Sequence, residues 1–298
     1  MSNMPLANWN GEIMPLDQVR VSVLDRAFLF GDAVYEALRA YSGRLWLRTG
    51  HMARLARSLR EMRIETDLAR LERRMDETLA HSGVKEGIVY IQVTRGAALR
   101  THAFPNPPAQ PNELIYVQAY PEQSPACDPY AAERAVGTRV ITHPDLRWKR
   151  CDIKSVNLLG NVLANQAAAE AGCGEAILIA ENGDVTEGTH TSLFGVKGGK
   201  LLTSPRGPHI LPGITRGFVF QLAERVDVPV SEEPLRAETL RQIDELFLCG
   251  TSTEVMPITR VDDWQVGTGR PGAITQRMHA AFREAVGEWL GGELRVEG

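Results

Sequence analysis

The run from residue 174 to 204, GEAILIAENGDVTEGTHTSLFGVKGGKLLTS, most narrows what this chain can fold into. It holds short apolar and β-branched segments separated by two turn signals, Glu181-Asn182-Gly183 and Gly198-Gly199. Turns of that kind join antiparallel strands, so this half is not a simple alternation of parallel strands and crossover helices. Helical patterns surround the strands. SVNLLGNVLANQAAAEAG (155–172) is Ala-rich and ends at a glycine, and TRGFVFQLAERV (215–226) and the segment near 272–290 follow. TRVITH (138–143) reads as a further strand.

The first half is α/β as well. HMARLARSLREM (51–62) and DLARLERRMDETLAH (67–81) carry apolar residues at helical spacing. GIVYIQVTRG (87–96) and ELIYVQAY (113–120) are rich in β-branched and aromatic residues and read as strands. PEQSPACDPYAAERA (121–135) breaks the pattern with three prolines. The expected organisation is a small N-terminal α/β domain over 1–121, a linker over 122–135 and a larger C-terminal α/β domain over 136–298.

At 298 residues the chain has room for one large or two medium domains. A net charge of −4 gives no general attraction to nucleic acid or to anionic membrane, and no apolar run reaches transmembrane length. The start, MSNMPLANWNGEIMPLDQ, lacks the basic and apolar regions of a secretory signal. Cys127, Cys151, Cys173 and Cys249 are widely spaced, which argues against a zinc site or disulfide framework and suits a reducing cytoplasm. No metal site is expected. There is no G-x-G-x-x-G fingerprint and no P-loop, so neither kind of nucleotide site is supported.

In CDIKSVNLLGNVLANQ, Lys154 stands among small and apolar residues, just before a helix expected to start near Ser155 or Asn157. A desolvated lysine loses proton affinity and can attack a carbonyl to form a Schiff base. Taken alone, Lys154 reads better as an ordinary surface charge at a helix start. Two other segments change the balance. ILPGITRG (210–217) sets Gly213 before Ile214, Thr215 and a predicted helix, and CGTSTEV (249–255) sets Gly250 and Thr251 after a strand. Glycine lets backbone N–H groups converge, and hydroxyls add donors, which together make a phosphate cradle. Two cradles and a candidate Schiff-base lysine suggest a phosphorylated carbonyl cofactor, pyridoxal 5'-phosphate. A carboxylate would hold the proton on its ring nitrogen, and Glu187 in GDVTEGTHTSLF is available, though by itself it is an ordinary strand-end glutamate.

These motifs occur in order after DRAFLFGDAVYEALRAYSGRLWLRTGHMARL. From about Asp25 to Thr259 the chain resembles the fold-type IV (class IV) pyridoxal-phosphate family: branched-chain aminotransferases, D-amino-acid aminotransferases, (R)-selective amine transaminases and aminodeoxychorismate lyases. The resemblance implies a two-domain fold with the cofactor at the domain interface. It implies that Lys154 tethers the cofactor and moves the substrate proton, and that Glu187 pairs with the pyridinium nitrogen. Arg54 would clamp the phosphate, Ile214, Thr215 and Thr251 would complete the cradle, and Leu211 would pack on the ring. Arg147, in DLRWKRCDIKS, is given a structural role.

Within the family, Arg100-Thr101-His102 decides the expectation. An R-x-H pair on extended chain points both side chains to one face and can grip a carboxylate, with Tyr35 adding a hydroxyl. By themselves the pair read as solvated loop residues. With the family context they resemble the carboxylate trap of D-amino-acid (D-alanine) aminotransferases, where the trap residues come from the neighbouring subunit of a homodimer. The expected reaction is ping-pong transfer of the amino group of a D-amino acid, such as D-alanine, to a 2-oxo acid, such as 2-oxoglutarate. An (R)-amine transaminase, a branched-chain L-amino-acid aminotransferase and a non-catalytic pyridoxal-phosphate-binding protein are the alternatives. Three departures stand out. Ala33 replaces the usual glycine of F-G-D-G-V-Y-E. Ser192 stands where an asparagine is common, with His190 nearby, and the loop AFPNPPAQPN (103–112) holds four prolines.

Overall fold

The alternation in GIVYIQVT becomes β5 (Gly87–Thr94), in which Val89, Ile91 and Val93 are fully buried while Ile88, Tyr90 and Gln92 are partly exposed. It lies inside a six-stranded antiparallel sheet of order β2-β1-β6-β5-β3-β4. The other strands are β1 (Leu6–Trp9), β2 (Glu12–Pro15), β3 (Ala33–Tyr41), β4 (Arg44–Leu45) and β6 (Asn112–Ala119). A short helix, α1 (Arg26–Phe30), leads into β3. Helices α2 (Arg48–Met62) and α3 (Leu68–Ser82) supply Met52, Leu55, Leu59, Leu71 and Met75 to a core shared with Leu38, Val89, Ile91 and Ile115. The Asp67 side chain caps α3 at the Arg70 N–H, 3.0 Å away, and Gly83 ends it in the left-handed conformation.

This computed structural model describes residues 4–120 and 128–296, and the chain divides into two compact units. The first comprises residues 4–120 together with 153–157. The second comprises 128–152 and 158–296. Of the expected linker, residues 121–127 lie outside the described residues, and Ala131–Val136 form a short helix, α4.

The division departs from the expected 136–298 boundary at the lysine segment. Ile153 joins the core of the first unit, Ser155 pairs with Val34, and the Val156 N–H donates to the Ala33 carbonyl at 3.1 Å. That extended pairing uses the backbone groups a helix would need. The following helix, α5 (Leu159–Glu170), therefore begins at Leu159, past the expected start at Ser155 or Asn157.

The second unit is built on a ten-stranded mixed sheet whose main path is β12-β11-β10-β14-β15-β7-β8-β9-β13. Its strands are β7 (Thr138–Pro144), β8 (Glu175–Ile179), β9 (Asp184–Gly188), β10 (Ser192–Lys197), β11 (Lys200–Thr203), β12 (Val230–Glu232), β13 (Leu235–Arg236), β14 (Glu245–Gly250), β15 (Glu254–Val261) and β16 (Trp264–Gln265). The hairpin turns create antiparallel β8–β9 and β10–β11 pairs, whereas β7 runs parallel to β8 and β15. Helices α6 (Ile214–Arg225) and α7 (Ala273–Gly291) pack together, and no helix among the described residues is long and apolar enough to cross a membrane.

Candidate active site

In the first unit, strand and helix periodicities bring a charged trio together. Glu36 lies on the face of β3 turned toward α2, and His51, Arg54 and Ser58 line one side of that helix at helical spacing. Glu36 is fully buried and accepts two hydrogen bonds from Arg54, from Nε at 2.6 Å and Nη2 at 2.9 Å. His51 Nδ1 lies 2.8 Å from the same carboxylate. Burial pushes the Glu36 carboxyl up, but the charges of Arg54 and His51 overcome that and hold it far below the ordinary carboxylate range. Burial also lowers the affinity of His51 for a proton, against the pull of Glu36.

Farther along the same helix face, Ser58 Oγ accepts the backbone N–H of Lys154 at 3.2 Å. The Lys154 carbonyl accepts the Tyr35 N–H at 2.9 Å, and its Nζ lies 4.3 Å from the centre of the Tyr35 ring. Tyr35 in turn stacks on Tyr90, and Tyr90 on Tyr116. The lysine amine thus stands on an aromatic face, positioned from both β3 and α2. Arg100 and His102 lie on an exposed loop, and both turn to one ring. The Arg100 guanidinium is 5.1 Å from the centre of Phe30, and the His102 ring is 5.6 Å from it. Among the described residues, no hydrogen bond, ion pair or ring contact joins either one to Tyr35.

The second unit holds Glu187, buried at the end of β9. One oxygen, Oε1, accepts from Arg147 Nη1 at 2.5 Å and from the Leu211 N–H at 3.0 Å. The other, Oε2, has no protein partner among the described residues. Burial raises the Glu187 pKa, against the opposing charge of Arg147. Arg147 is itself held by Asp145 through Nε at 2.9 Å and Nη2 at 2.8 Å, and donates to the His209 carbonyl at 3.1 Å. Arg147 carries only a structural role in the sequence reading, which also marks Ser192 and His190 as departures in the segment just after Glu187. His190 and Thr191 turn to Glu175, at 3.0 Å each, and Arg147 is the group that touches Glu187. The one signal in the sequence is a buried-type carboxylate needing a cation, which does not say which arginine supplies it.

The two glycine-marked segments both lie next to Ser192 or its strand partner. Gly213 caps α6 without a side-chain hydrogen bond, leaving Ile214 and Thr215 at the open N-terminus. A Cβ on Gly213 would lie 2.7 Å from Ser192 Oγ, so a side chain there would fill the space above that turn. Ser192 faces Cys249 across the β10–β14 ladder, which brings the Gly250–Thr253 turn alongside. There Thr253 Oγ1 is buried without a protein partner, 3.1 Å from where a Gly250 Cβ would stand. An uncapped helix N-terminus and an orphaned hydroxyl fit an oxyanion such as phosphate. Ala33, at the family's glycine position, is absent from the residues with left-handed φ, so its methyl group costs no strain. Asp128, Glu254 and His279 also converge, but Arg134 pairs with Asp128, and Arg283 and His279 with Glu254, which makes them an ion-pair network.

Residues 33–261 match the family described as amino-transferase class IV. The chain is 40% identical over 283 residues to a D-alanine aminotransferase of Staphylococcus epidermidis, covering 93% of this chain and 96% of that one. It is 37% identical over 280 residues to a D-alanine aminotransferase of Bacillus licheniformis, with the same coverage. Among solved structures it superimposes with a TM-score of 0.87 on a branched-chain amino acid aminotransferase of Escherichia coli, at 25% identity over 98% of this chain and 96% of that one. A second branched-chain amino acid aminotransferase, solved with pyridoxamine 5'-phosphate, also gives 0.87, at 26% identity over 99% and 96%. The chain belongs to the class IV aminotransferase family.

Proposed function

We propose that this protein is a pyridoxal-phosphate-dependent D-amino-acid aminotransferase that moves the amino group of D-alanine or a similar D-amino acid to a 2-oxo acid such as 2-oxoglutarate. Bound pyridoxal phosphate supplies an aldehyde that takes up the amino group and a ring that absorbs the electron pair left when the Cα proton departs. Lys154 would hold that group through its amine and would be the base that moves the substrate Cα proton. Its placement on the Tyr35 ring, tied to β3 and α2 through its own backbone, suits a group that must return a proton to a fixed atom. Glu187 holds the proton on the ring nitrogen, and its partner-free Oε2 fits that role. For the phosphate, the family resemblance points to Arg54, whose guanidinium is held by Glu36, and, in the second unit, to the backbone and hydroxyl groups of Ile214, Thr215 and Thr251. Leu211 packs on the ring, while its N–H orients Glu187.

The observation that favours a D-amino acid is the Arg100–His102 pair, presented together on Phe30. With Cα–H directed at Lys154, the side of the site that receives the carboxylate sets which enantiomer reacts. Arg100, His102 and the Tyr35 hydroxyl form that side. Because no contact joins Tyr35 to the pair within one chain, we infer a homodimer in which the pair serves the partner's Tyr35. The exposed Leu159, Val162 and Leu163, on one side of α5, offer apolar surface for such an assembly. Incubating the protein with D-alanine and 2-oxoglutarate should yield pyruvate and D-glutamate in equal amounts. Consumption of L-leucine with no pyruvate from D-alanine would instead favour the branched-chain reading, to which the superposition on branched-chain enzymes also points.

A further inference from the structure

We propose that Asp32 and Arg26, which touch no substrate, are positioning residues for the carboxylate-binding segment 100–103. The inference rests on the D-amino-acid reading of Arg100 and His102. Residues 99–104 are all exposed, so no apolar burial holds them in place. Leu99 is 79% and Phe104 49% exposed. What holds the segment lies beneath it. Arg26 is 3% exposed, and its Nε is fixed on Asp32 Oδ2 at 2.8 Å. With the guanidinium plane set by that bond, Nη1 donates to the Thr101 carbonyl at 2.7 Å and reaches the Ala103 carbonyl at 3.4 Å. Nη2 lies 3.5 Å from the His102 carbonyl. One side chain therefore spans the carbonyls on either side of His102.

The same carboxylate orients a second guanidinium. Arg95 donates to Asp32 from Nε at 2.7 Å and from Nη2 at 3.0 Å, and lies 3.7 Å over the Phe104 ring. Asp32 thus fixes two arginines that grip the segment at 101–103 and at 104. Phe30 completes the device, because its ring takes Arg26 at 4.8 Å as well as Arg100 and His102. The backbone below and the ring beside it restrict both side chains to one orientation. A binding group must be held to within about 0.5 Å of its productive geometry, and an unanchored polar loop does not achieve that. All these contacts lie within one chain, so they act whichever subunit's substrate the pair receives.

Arg26→Lys is the sharpest test, because one ammonium cannot hold Asp32 and the Thr101 carbonyl in a fixed fork. In the cofactor-loaded enzyme, KM for D-alanine should rise about tenfold or more, with kcat changed by no more than about threefold and the cofactor absorbance kept. Amide hydrogen exchange over 97–104 should quicken. Arg100→Ala should also raise KM, and adding Arg26→Lys to a protein that already carries Arg100→Ala and His102→Ala should raise it no further, since Arg26 acts through those two side chains. Multiplying effects would overturn the proposal, as would wild-type KM or wild-type exchange in Arg26→Lys, and both results would leave the D-amino-acid reading intact. An unchanged KM in Arg100→Ala would remove that reading and the proposal with it. Should Arg26→Lys fail to fold, Phe30→Leu, at a partly exposed position, must raise KM for D-alanine in the same way, and a wild-type KM there would overturn the proposal.

Discussion

Replacing Arg147 with methionine should raise the Glu187 pKa further and favour its carboxylic acid form. Burial already pushes the Glu187 pKa up, and Arg147 is the first influence that opposes it. The bond lost is a charge-assisted one of 2.5 Å between side chains that are 5% and 7% exposed, so solvent screens it little. Such a bond is worth about 1.5–3 kcal/mol. A protonated Glu187 cannot hold the ring proton, so kcat at neutral pH should fall about ten- to a hundredfold. The sign of the pH dependence follows. Glu187 works ionised, and its pKa rises further in the variant, so the lost activity returns as pH increases. Asp145 also loses its two-pronged partner, and breaking a buried pair from one side costs about 3–5 kcal/mol of stability. Glu187, whose folded pKa is raised, binds its proton more tightly folded than unfolded. Its contribution therefore leaves the variant least impaired at low pH and is lost as pH rises through the folded pKa. The assays are kcat against pH and urea unfolding at two pH values. A variant whose pH profile superimposes on that of the wild type, with unchanged kcat, would refute the reasoning.

Lys154→Ala should remove both the visible absorbance of the bound cofactor and all turnover; wild-type turnover would exclude the lysine from the chemistry. Arg54→Ala should weaken pyridoxal-phosphate affinity, read by dialysis against the free cofactor, and Glu36→Gln should weaken it less, because the guanidinium stays but loses its two-pronged hold. Equal affinity in all three proteins would remove both residues from the phosphate site. Glu36 also predicts acid behaviour. Its folded pKa is depressed, so its contribution is present above the ordinary carboxylate range and is lost as pH falls toward the folded value. The stability gap between wild type and Glu36→Gln should accordingly shrink on acidification, and a gap that widens would contradict the ion-pair account.

Much of the architecture was legible because local signals and tertiary packing agree. The apolar spacing in α3 coincides with its buried face, Leu71, Met75 and Leu79, and the Gly198-Gly199 turn joins β10 to β11 as expected. The alternation in β5 needs no partner to be read. By contrast AVYEALRAY, which forms β3, is rich in helix-forming Ala, Glu, Leu and Arg. It is a strand because eight of its residues pair with β5, a long-range fact without a local mark. The same holds for the lysine segment, whose pairing with Ala33 and Val34 delays the next helix. In the candidate site, motifs can name residues, whereas the partners that support them leave no local mark. Arg147, forty positions before Glu187, and Asp32, between two arginines distant in sequence, are coupled only by the fold.

The central claim is that the carboxylate side of the site selects D-amino acids. Its most direct test is a single half-reaction: the cofactor-loaded protein is mixed separately with D-alanine and with L-leucine, without a 2-oxo acid, and the visible absorbance of the cofactor is followed. D-Alanine should bleach it with one equivalent of pyruvate formed per site, and L-leucine should leave it standing on the same timescale. Faster bleaching by L-leucine than by D-alanine would contradict the assignment of Arg100 and His102.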